Sequence, residues 1–262
     1  MDTIDIKQMK YLKLNYMRSL LIAVFVIAAH GARAQGQEGI VTYERTQFWT
    51  KILPKLTFLS KEQLDRELRT WGSNDEGWKT KYQLVFTENE NKYSEIAQES
   101  EYGYNDRLSD YLIYRNFATN KRMELEDVSG KSYLVDDSLS APTWKVMNKI
   151  KEINGQLCMM AVTEDTVRSQ KIVAWFANNL SVPAGPERYF GLPGLIMELD
   201  IDDGAVIITA VKVDIKPVGE AIQLPKKMKG KKITGKEYDK LVKTTLDTAI
   251  KGRRYPYSAV RF

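Results

Sequence analysis

The sequence predicts an α+β protein: a curved antiparallel β-sheet with one C-terminal helix packed on it, or alternatively a β-sandwich. Three observations lead there. From Gly39 onward, short runs of alternating apolar and polar residues recur between turn-forming Gly, Asn and Asp, the period of a half-buried strand. One long stretch late in the chain has helical periodicity and its own start signal. The composition of the 262 residues, 43% hydrophobic and 28% charged, is that of globular material and excludes a collagen-like, wholly disordered or multi-span membrane chain.

Taken in order, Val41 and Tyr43 alternate with Thr42 and Glu44, and Tyr82, Leu84 and Phe86 alternate with Lys81, Gln83 and Thr87. Between these strands, Ser60-Lys61-Glu62-Gln63 is a capping box that opens a short helix to about Trp71, where Gly72-Ser73-Asn74-Asp75 ends it. This helical segment, at about 51–78, reads as an insertion into the domain. Asn89-Glu90-Asn91 marks a hairpin turn, and Glu99 to Asp110 a polar loop. Further strands are expected near Tyr111–Phe117, Arg122–Val128, Lys131–Val135, Trp144–Asn148, Leu157–Thr163 and Lys171–Phe176. Leu195, Met197, Leu199 and Ile201 then form an apolar face opposite Glu198 and Asp200. Asp202-Asp203-Gly204 turns that strand into Ala205–Ile215, apolar enough to be nearly buried on both faces. Thr234-Gly235-Lys236-Glu237 is a second capping box, opening a helix to about Lys251 with Tyr238, Leu241, Val242, Leu246, Ala249 and Ile250 on one side.

The first 34 residues read as an export signal. Lys7, Lys10, Lys13 and Arg18 precede an apolar run from Leu20 to Ala29, followed by Ala32-Arg33-Ala34 with small residues where signal peptidase needs them. The run is too short for a comfortable membrane span, so cleavage after Ala34 and a periplasmic domain of residues 35–262, not integral to the membrane, are expected. The formal charge of +5 falls to +2 once the five basic and two acidic residues of the signal are removed, which takes away the main support for a nucleic-acid partner. The single histidine, His30, lies in that signal, so the exported domain has no Ser-His-Asp or Cys-His catalytic centre and no His-ligated metal. With Cys158 the one cysteine, no intramolecular disulfide is possible.

Four motifs invite chemistry. Gly230 to Lys236 has the spacing of a phosphate-binding loop, but Glu237 stands where magnesium requires a Ser or Thr hydroxyl, so the segment reads as a basic turn capping the last helix. Asp200 to Gly204 fails as a calcium loop because Val211 occupies the position of the bidentate Glu. Glu198, Asp200 and Asp202 share a strand face and leave a carboxylate-dependent hydrolase as one functional alternative. Cys158 and Met160, two soft sulfurs on one strand face, leave copper handling as another, against ordinary core packing.

The most distinctive segment runs through Ala174-Trp175-Phe176, Pro183-Ala184-Gly185-Pro186 and Tyr189-Phe190-Gly191-Leu192-Pro193-Gly194-Leu195-Ile196. Two Gly/Pro corners enclose an aromatic pair and launch an apolar strand, a rigid irregular connection. Its structural reading is a corner of the fold. Its functional reading is the rim of an apolar groove lined by Trp175, Phe176, Tyr189, Leu192 and Pro193. Residues 191–196 spell GLPGLI, and the chain resembles the GLPGLI family of exported proteins from two-membrane bacteria. Trp144, Ile153-Asn154-Gly155, Leu157-Cys158, Ala161, Gly185-Pro186, Leu224-Pro225-Lys226 and Ile233 to Tyr238 fit the same pattern. The resemblance spans roughly 144–242, touches 39–43 weakly, and leaves 45–110 individual to this chain. It implies an envelope location and brings no catalytic, cofactor-binding or metal-binding residues with it.

The sheet is expected to resemble the half-barrel of periplasmic lipoprotein carriers. The leading functional expectation is a non-catalytic envelope protein binding an apolar small molecule, a lipid, or an outer-membrane or periplasmic partner protein. With 14 Tyr and 5 Trp, the chain has aromatic material for such a surface, although aromatics are core residues first.

Overall fold

A computed structural model describes residues 37–71, 76–96 and 110–262. The expected export signal, the Gly72–Asp75 helix stop and nearly all of the Glu99 to Asp110 loop lie outside these residues. Strand β1 (Gly39–Gln47) leads into α1 (Trp49–Ile52), a short 3-10 turn (Leu53–Lys55) and α2 (Lys61–Trp71). Then follow β2 (Trp78–Phe86), β3 (Glu90–Glu95), β4 (Leu112–Asn116), β5 (Lys121–Val128), β6 (Lys131–Ser138) and β7 (Lys145–Ile153). The second half comprises β8 (Gln156–Asp165), β9 (Gln170–Ala177), β10 (Leu195–Ile201), β11 (Val206–Ile215), β12 (Lys231–Ile233) and α3 (Gly235–Lys251).

The twelve strands make one open sheet in the order β12-β6-β5-β4-β3-β2-β1-β11-β10-β9-β8-β7. This single hydrogen-bonded sheet replaces the two packed sheets of the sandwich alternative. Every pairing is antiparallel except β12 with β6. Strands β6 and β7 are consecutive in the chain yet lie ten strand spacings apart in the sheet, about 48 Å if it were flat. The connection from Ser138 to Lys145 reaches at most about 25 Å when fully extended. The sheet therefore curls until its two ends approach.

Local chemistry sets the hairpins. Ser129-Gly130 and Asn154-Gly155 place two successive residues at positive φ, as the tight turns β5–β6 and β7–β8 require. Asp202, Asp203 and Gly204 do the same between β10 and β11. In β11 only Val206, Ile208 and Ala210 are buried, and the strand is largely open from Val211 onward. The expected burial on both faces thus fails. Past Ala210, Val213 still packs on the edge of the core, whereas Val211 and Ile215 meet solvent.

Both expected capping boxes are present. Ser60 and Gln63 exchange hydrogen bonds at the start of α2, and Thr234 and Glu237 do so at α3. Helix α2 buries no residue. Helix α3 packs Tyr238, Val242 and Leu246 against Val128, Val135 and Val260. Its buried stripe is narrower than expected, because Ile250 is exposed. The Gly235 N–H donates to Asp137 Oδ2 at 2.8 Å, so a carboxylate of the chain itself occupies the helix N-terminus that a bound phosphate would need. No helix among the described residues is long and apolar enough to cross a membrane.

The connection from residue 178 to 194, between β9 and β10, is the one that fills the curl. Leu180, Val182, Ala184, Tyr189, Phe190 and Leu192 are buried. Its backbone is tied to the start of β10 by Leu195 N–H to the Leu180 carbonyl and Ile196 N–H to Ala184, and to itself by Gly191 N–H to Pro183, at 2.9–3.0 Å. Gly191 has φ 89°, whereas Gly194 lies outside the left-handed region. The need for glycine at 194 is one of space: a Cβ there would run into the Ala177 carbonyl oxygen and sit 2.8 Å from its carbon. Gly194→Val is expected to destabilise the fold by about 1–3 kcal/mol through overpacking. Urea unfolding checks it, and an unchanged midpoint would show that the β9–β10 corner yields.

Candidate functional site

Side-chain alternation carries polar groups to the inner face. Along β5, Arg122, Glu124 and Glu126 point the same way as buried Val128. Neighbouring strands add Arg45, Asn91 and Arg115, with Tyr43, Tyr82 and Tyr93 between them. The 178–194 connection brings Glu187 and Arg188 against this face, and the segment after α3 brings Arg261. Buried charge on this scale is expensive unless paired, and the pairing is extensive.

One centre is Glu187, a buried non-glycine residue at φ 52°. Arg261 donates to both its carboxylate oxygens at 2.6–3.2 Å. Arg45 Nε lies 3.6 Å away, and the Tyr111 hydroxyl donates to Oε2. The Arg261 guanidinium is held between the Tyr82 and Tyr111 rings, 4.7 and 4.2 Å from their centroids. Burial raises the Glu187 carboxyl, but Arg261 and Arg45 outweigh it and hold the group below the usual range.

The second centre is the pair Glu124 and Glu126. Arg188 makes two hydrogen bonds to Glu124 Oε2, at 3.1 and 3.2 Å, and a third to Asp239 of α3 at 3.1 Å. Tyr238 donates to Glu126 Oε2. The other oxygen, Glu126 Oε1, accepts no hydrogen bond and has its nearest cation, Arg188 Nε, at 3.9 Å. The two carboxyls move in opposite directions. Burial raises Glu124 but Arg188, Arg122 and Arg115 pull it below its ordinary value, whereas burial, with Glu124 adding to it, leaves Glu126 above.

Arg115 is a third centre, without a carboxylate partner. Its Nη1 donates to Asn91 Oδ1 at 3.2 Å and to the Gly185 carbonyl at 3.3 Å. Nη2 donates to the Glu187 carbonyl, and the guanidinium lies 4.8 Å from the Phe190 ring centroid. Burial pushes this guanidinium down to about 10. Arg115 is thus the clamp that fastens the β9–β10 connection to β4.

Beside these centres a cleft of about 480 Å³ opens between β5, β6 and the segment 257–261, its walls including Asp110, Tyr111, Glu126, Asp127, Ser132, Tyr257 and Arg261. A smaller space of about 20 Å³ behind it shares Tyr111, Glu126 and Arg261 and adds Arg168, Gln170, Glu187 and Arg188. Glu126 therefore stands where the open cleft meets the ion-paired interior.

The five sequence-selected rim residues are not gathered at one opening. Phe176 and Leu192 lie in the main core. Tyr189 is buried beside the inner space, while Pro193 is exposed. Trp175, one residue from Phe176, faces the other side of the sheet, with Lys151 Nζ 4.5 Å from its ring centroid. On that side Glu198 pairs with Lys151 at 2.5 Å and accepts from Thr209 at 3.2 Å. Asp200 Oδ1 accepts from the Gly204 N–H at 2.5 Å, closing the β10–β11 turn. The buried carboxylates on the inner face are instead Glu124 and Glu126 in one centre and Glu187 in another, which the sequence reading passes over. The available signal is the Arg-x-Glu-x-Glu alternation of β5 and the charged Glu187-Arg188 pair inside an otherwise apolar corner.

Cys158 is fully buried, and its Sγ donates to the Gln156 carbonyl at 3.4 Å. Burial pushes the thiol up to about 11, which favours the protonated form over the metal-binding thiolate. Among the described residues no three His, Cys, Asp or Glu side chains gather as a metal site. Cys158→Ser is expected to cost about 1–3 kcal/mol by placing a hydroxyl in packed surroundings and to leave metal content unchanged. Unfolding and elemental analysis check both, and stoichiometric copper lost on mutation would reverse the reading.

Fold and site together define a class: an open antiparallel sheet curled around its own ion-paired interior, with a polar cleft at one side. A family model described as a protein of unknown function (Porph_ging) matches residues 161–198, which take in the second half of β8, all of β9, the corner and the first half of β10. A structure of PNGF-II in space group C2 superposes with TM-score 0.51 at 15% identity, covering 78% of this chain and 32% of that one. PNGF-II in space group P21 gives 0.48 at 15% identity, covering 78% and 33%. An uncharacterized conserved protein from Thermus thermophilus gives 0.37 at 5% identity, covering 75% and 90%. The first likeness concerns the sheet architecture alone, and the chain spans about a third of the PNGF-II chain. No curated protein matches.

Proposed function

We propose that this is an exported cell-envelope protein, a half-barrel of the lipoprotein-carrier type, that binds a small polar ligand in the cleft between β5, β6 and residues 257–261. The observation that carries the reading is Glu126: a buried carboxylate on the cleft wall with one oxygen lacking any hydrogen bond. Buried acceptors are normally satisfied, so this unmet oxygen, closed to solvent in the unliganded fold, marks where a donor is received when the cleft is occupied. Export is supported by the basic and apolar N-terminal run and by Ala32-Arg33-Ala34. Membership of the GLPGLI family is supported by residues 191–196, which fall inside the matched segment. A polar ligand is favoured over the apolar one expected from sequence because the inner face is filled by Arg, Glu and Tyr side chains of the chain itself. Acids and hydroxyls share the cleft wall with the aromatic rings.

A second reading, a carboxylate-dependent hydrolase, rests on the opposite displacement of Glu124 and Glu126, the arrangement by which paired acids divide their roles. Binding is preferred because Glu124 is enclosed by Arg188 and Arg122 and away from the cleft.

Native mass spectrometry of the protein released from the envelope tests the proposal. A stoichiometric polar small molecule, absent from folded Glu126→Gln, is the expected result. A copurified lipid, or a bound molecule indifferent to Glu126→Gln, would overturn it.

A further inference from the structure

We propose that residues 226–251 form a docking surface for a membrane rich in anionic phospholipid. Charge is the first reason. This stretch holds nine lysines, three acids and no arginine, a net of +6, whereas the expected exported domain 35–262 carries +2 in all, so its remainder sums to −4. All nine lysines are exposed. Among the described residues, Lys232 alone of them makes an ion pair, with Asp136 at 2.7 Å. Two of the acids are committed within the chain: Glu237 closes the capping box with Thr234, and Asp239 pairs with Arg188. The positive charge is left facing solvent.

The fold gathers these lysines at one end of the sheet. Strand β12 is the terminal strand and pairs with β6, α3 packs on Val128 and Val135 of β5 and β6, and Thr234 alone joins β12 to α3. Along α3, Lys236, Lys240 and Lys243 follow the i, i+4, i+7 line of one helix face, apart from the buried Tyr238, Val242 and Leu246. Exposed Ile250 continues that line seven residues beyond Lys243. An apolar side chain in a row of lysines suits a helix that lies on a membrane surface. Lysines also guard open sheet edges, which accounts for Lys231 and Lys232 of β12 but not for the row on α3.

Residue type separates a lipid surface from other polyanions. Lysine is a hydrated point charge on a flexible stem, matched to fluid headgroups without fixed positions. Nucleic-acid grooves add arginine forks and exposed aromatic rings, whereas this stretch has no arginine and its one aromatic residue, Tyr238, is buried. Protein interfaces are depleted in lysine. The contact is peripheral and reversible by salt, distinct from a lipid held in the cleft, and it stands or falls separately from the cleft reading.

Vesicle flotation of the protein released from the envelope tests the inference. The protein is expected to float with vesicles of equal parts phosphatidylglycerol and phosphatidylcholine, to stay behind with phosphatidylcholine alone, and to leave the mixed vesicles when salt is added. Each lysine near such a surface is worth about fivefold in partition. The triple variant Lys236→Gln, Lys240→Gln, Lys243→Gln should therefore weaken partition about a hundredfold with an unchanged thermal transition. Lys226→Gln, Lys227→Gln, Lys229→Gln, outside any helix, should act in the same sense. Neutralising Lys79, Lys171 and Lys212, exposed lysines of β2, β9 and β11, should leave most of the partition in place. Failure to float with the mixed vesicles would overturn the lipid surface. Equal loss in all three triple variants would overturn the site and leave only net charge. Capture of poly-L-glutamate or oligothymidylate in place of the vesicles would overturn the lipid in favour of a soluble polyanion.

Discussion

Arg115→Met is expected to lower the stability of the protein by about 3–5 kcal/mol, the largest effect of any single change at the interior clamp, because three buried acceptors lose their donor. The side chain is fully buried and serves the Gly185 and Glu187 carbonyls and Asn91 Oδ1 together. Methionine fills a similar volume but leaves those acceptors in a dry interior, where each unsatisfied group costs about 1–3 kcal/mol. The saving from no longer burying a guanidinium offsets only part of that loss. Arg115→Lys should fall between the two, because a single ammonium cannot reproduce the planar fork that reaches two loop carbonyls at once. Urea unfolding gives the magnitude. Limited proteolysis gives the location, since cleavage should appear first within 178–194. A midpoint equal to wild type would mean that the β9–β10 connection is held by its apolar contacts alone.

Glu187→Gln is expected to cost a similar amount, about 3–5 kcal/mol, and to change the acid sensitivity of the fold. Removing one partner of a buried ion pair leaves the other charge uncompensated, and here Arg261 and Arg45 are both left. Glutamine also offers one acceptor where the carboxylate offers two to Arg261 and Tyr111. Because the folded carboxyl is held below its unfolded value of about 4.3, its contribution is complete above that pH and is lost as pH falls through the folded value. Glu124 acts in the same sense. Glu126 acts in the opposite one: its folded carboxyl lies above the ordinary value, so its contribution is complete at low pH and is lost as pH rises through the folded value. Wild type should therefore lose stability below about pH 4, and Glu187→Gln should start lower and fall less steeply there. A wild-type acid limb unaffected by the substitution would show that Glu187 is not ionised in the fold.

How far the sequence reveals this arrangement depends on where the information resides. Turns and caps are local, so Asn154-Gly155, Ser129-Gly130, Asp202-Asp203-Gly204 and both capping boxes can be read directly. The parallel pairing of β12 with β6 joins residues about a hundred positions apart, and no local pattern announces it. The start of β3 reads as a turn because Asn89-Glu90-Asn91 is polar, yet Asn91 is buried against Arg115. The same inversion hides the site. Alternation along β5 separates Arg122, Glu124 and Glu126 from Met123 and Leu125 but does not say which set faces inward. Polar residues are ordinarily assigned to solvent. Here the 178–194 connection and the segment after α3 arrive from distant sequence to pair them. Gly194 is legible as special, but its reason, the nearness of the Ala177 backbone, depends on the register of β9 with β10.

The inside of the curled sheet is, above all, an ordered network of buried ion pairs instead of an open apolar cavity. Solvent exchange of the arginine Nε–H groups, followed by NMR at neutral pH, tests this most directly. Arg45 and Arg115, the buried arginines among the described residues, are expected to give separate, strongly protected Nε–H signals, while exposed arginines such as Arg69 exchange rapidly. Interior arginines that exchange as fast as Arg69 would contradict the account.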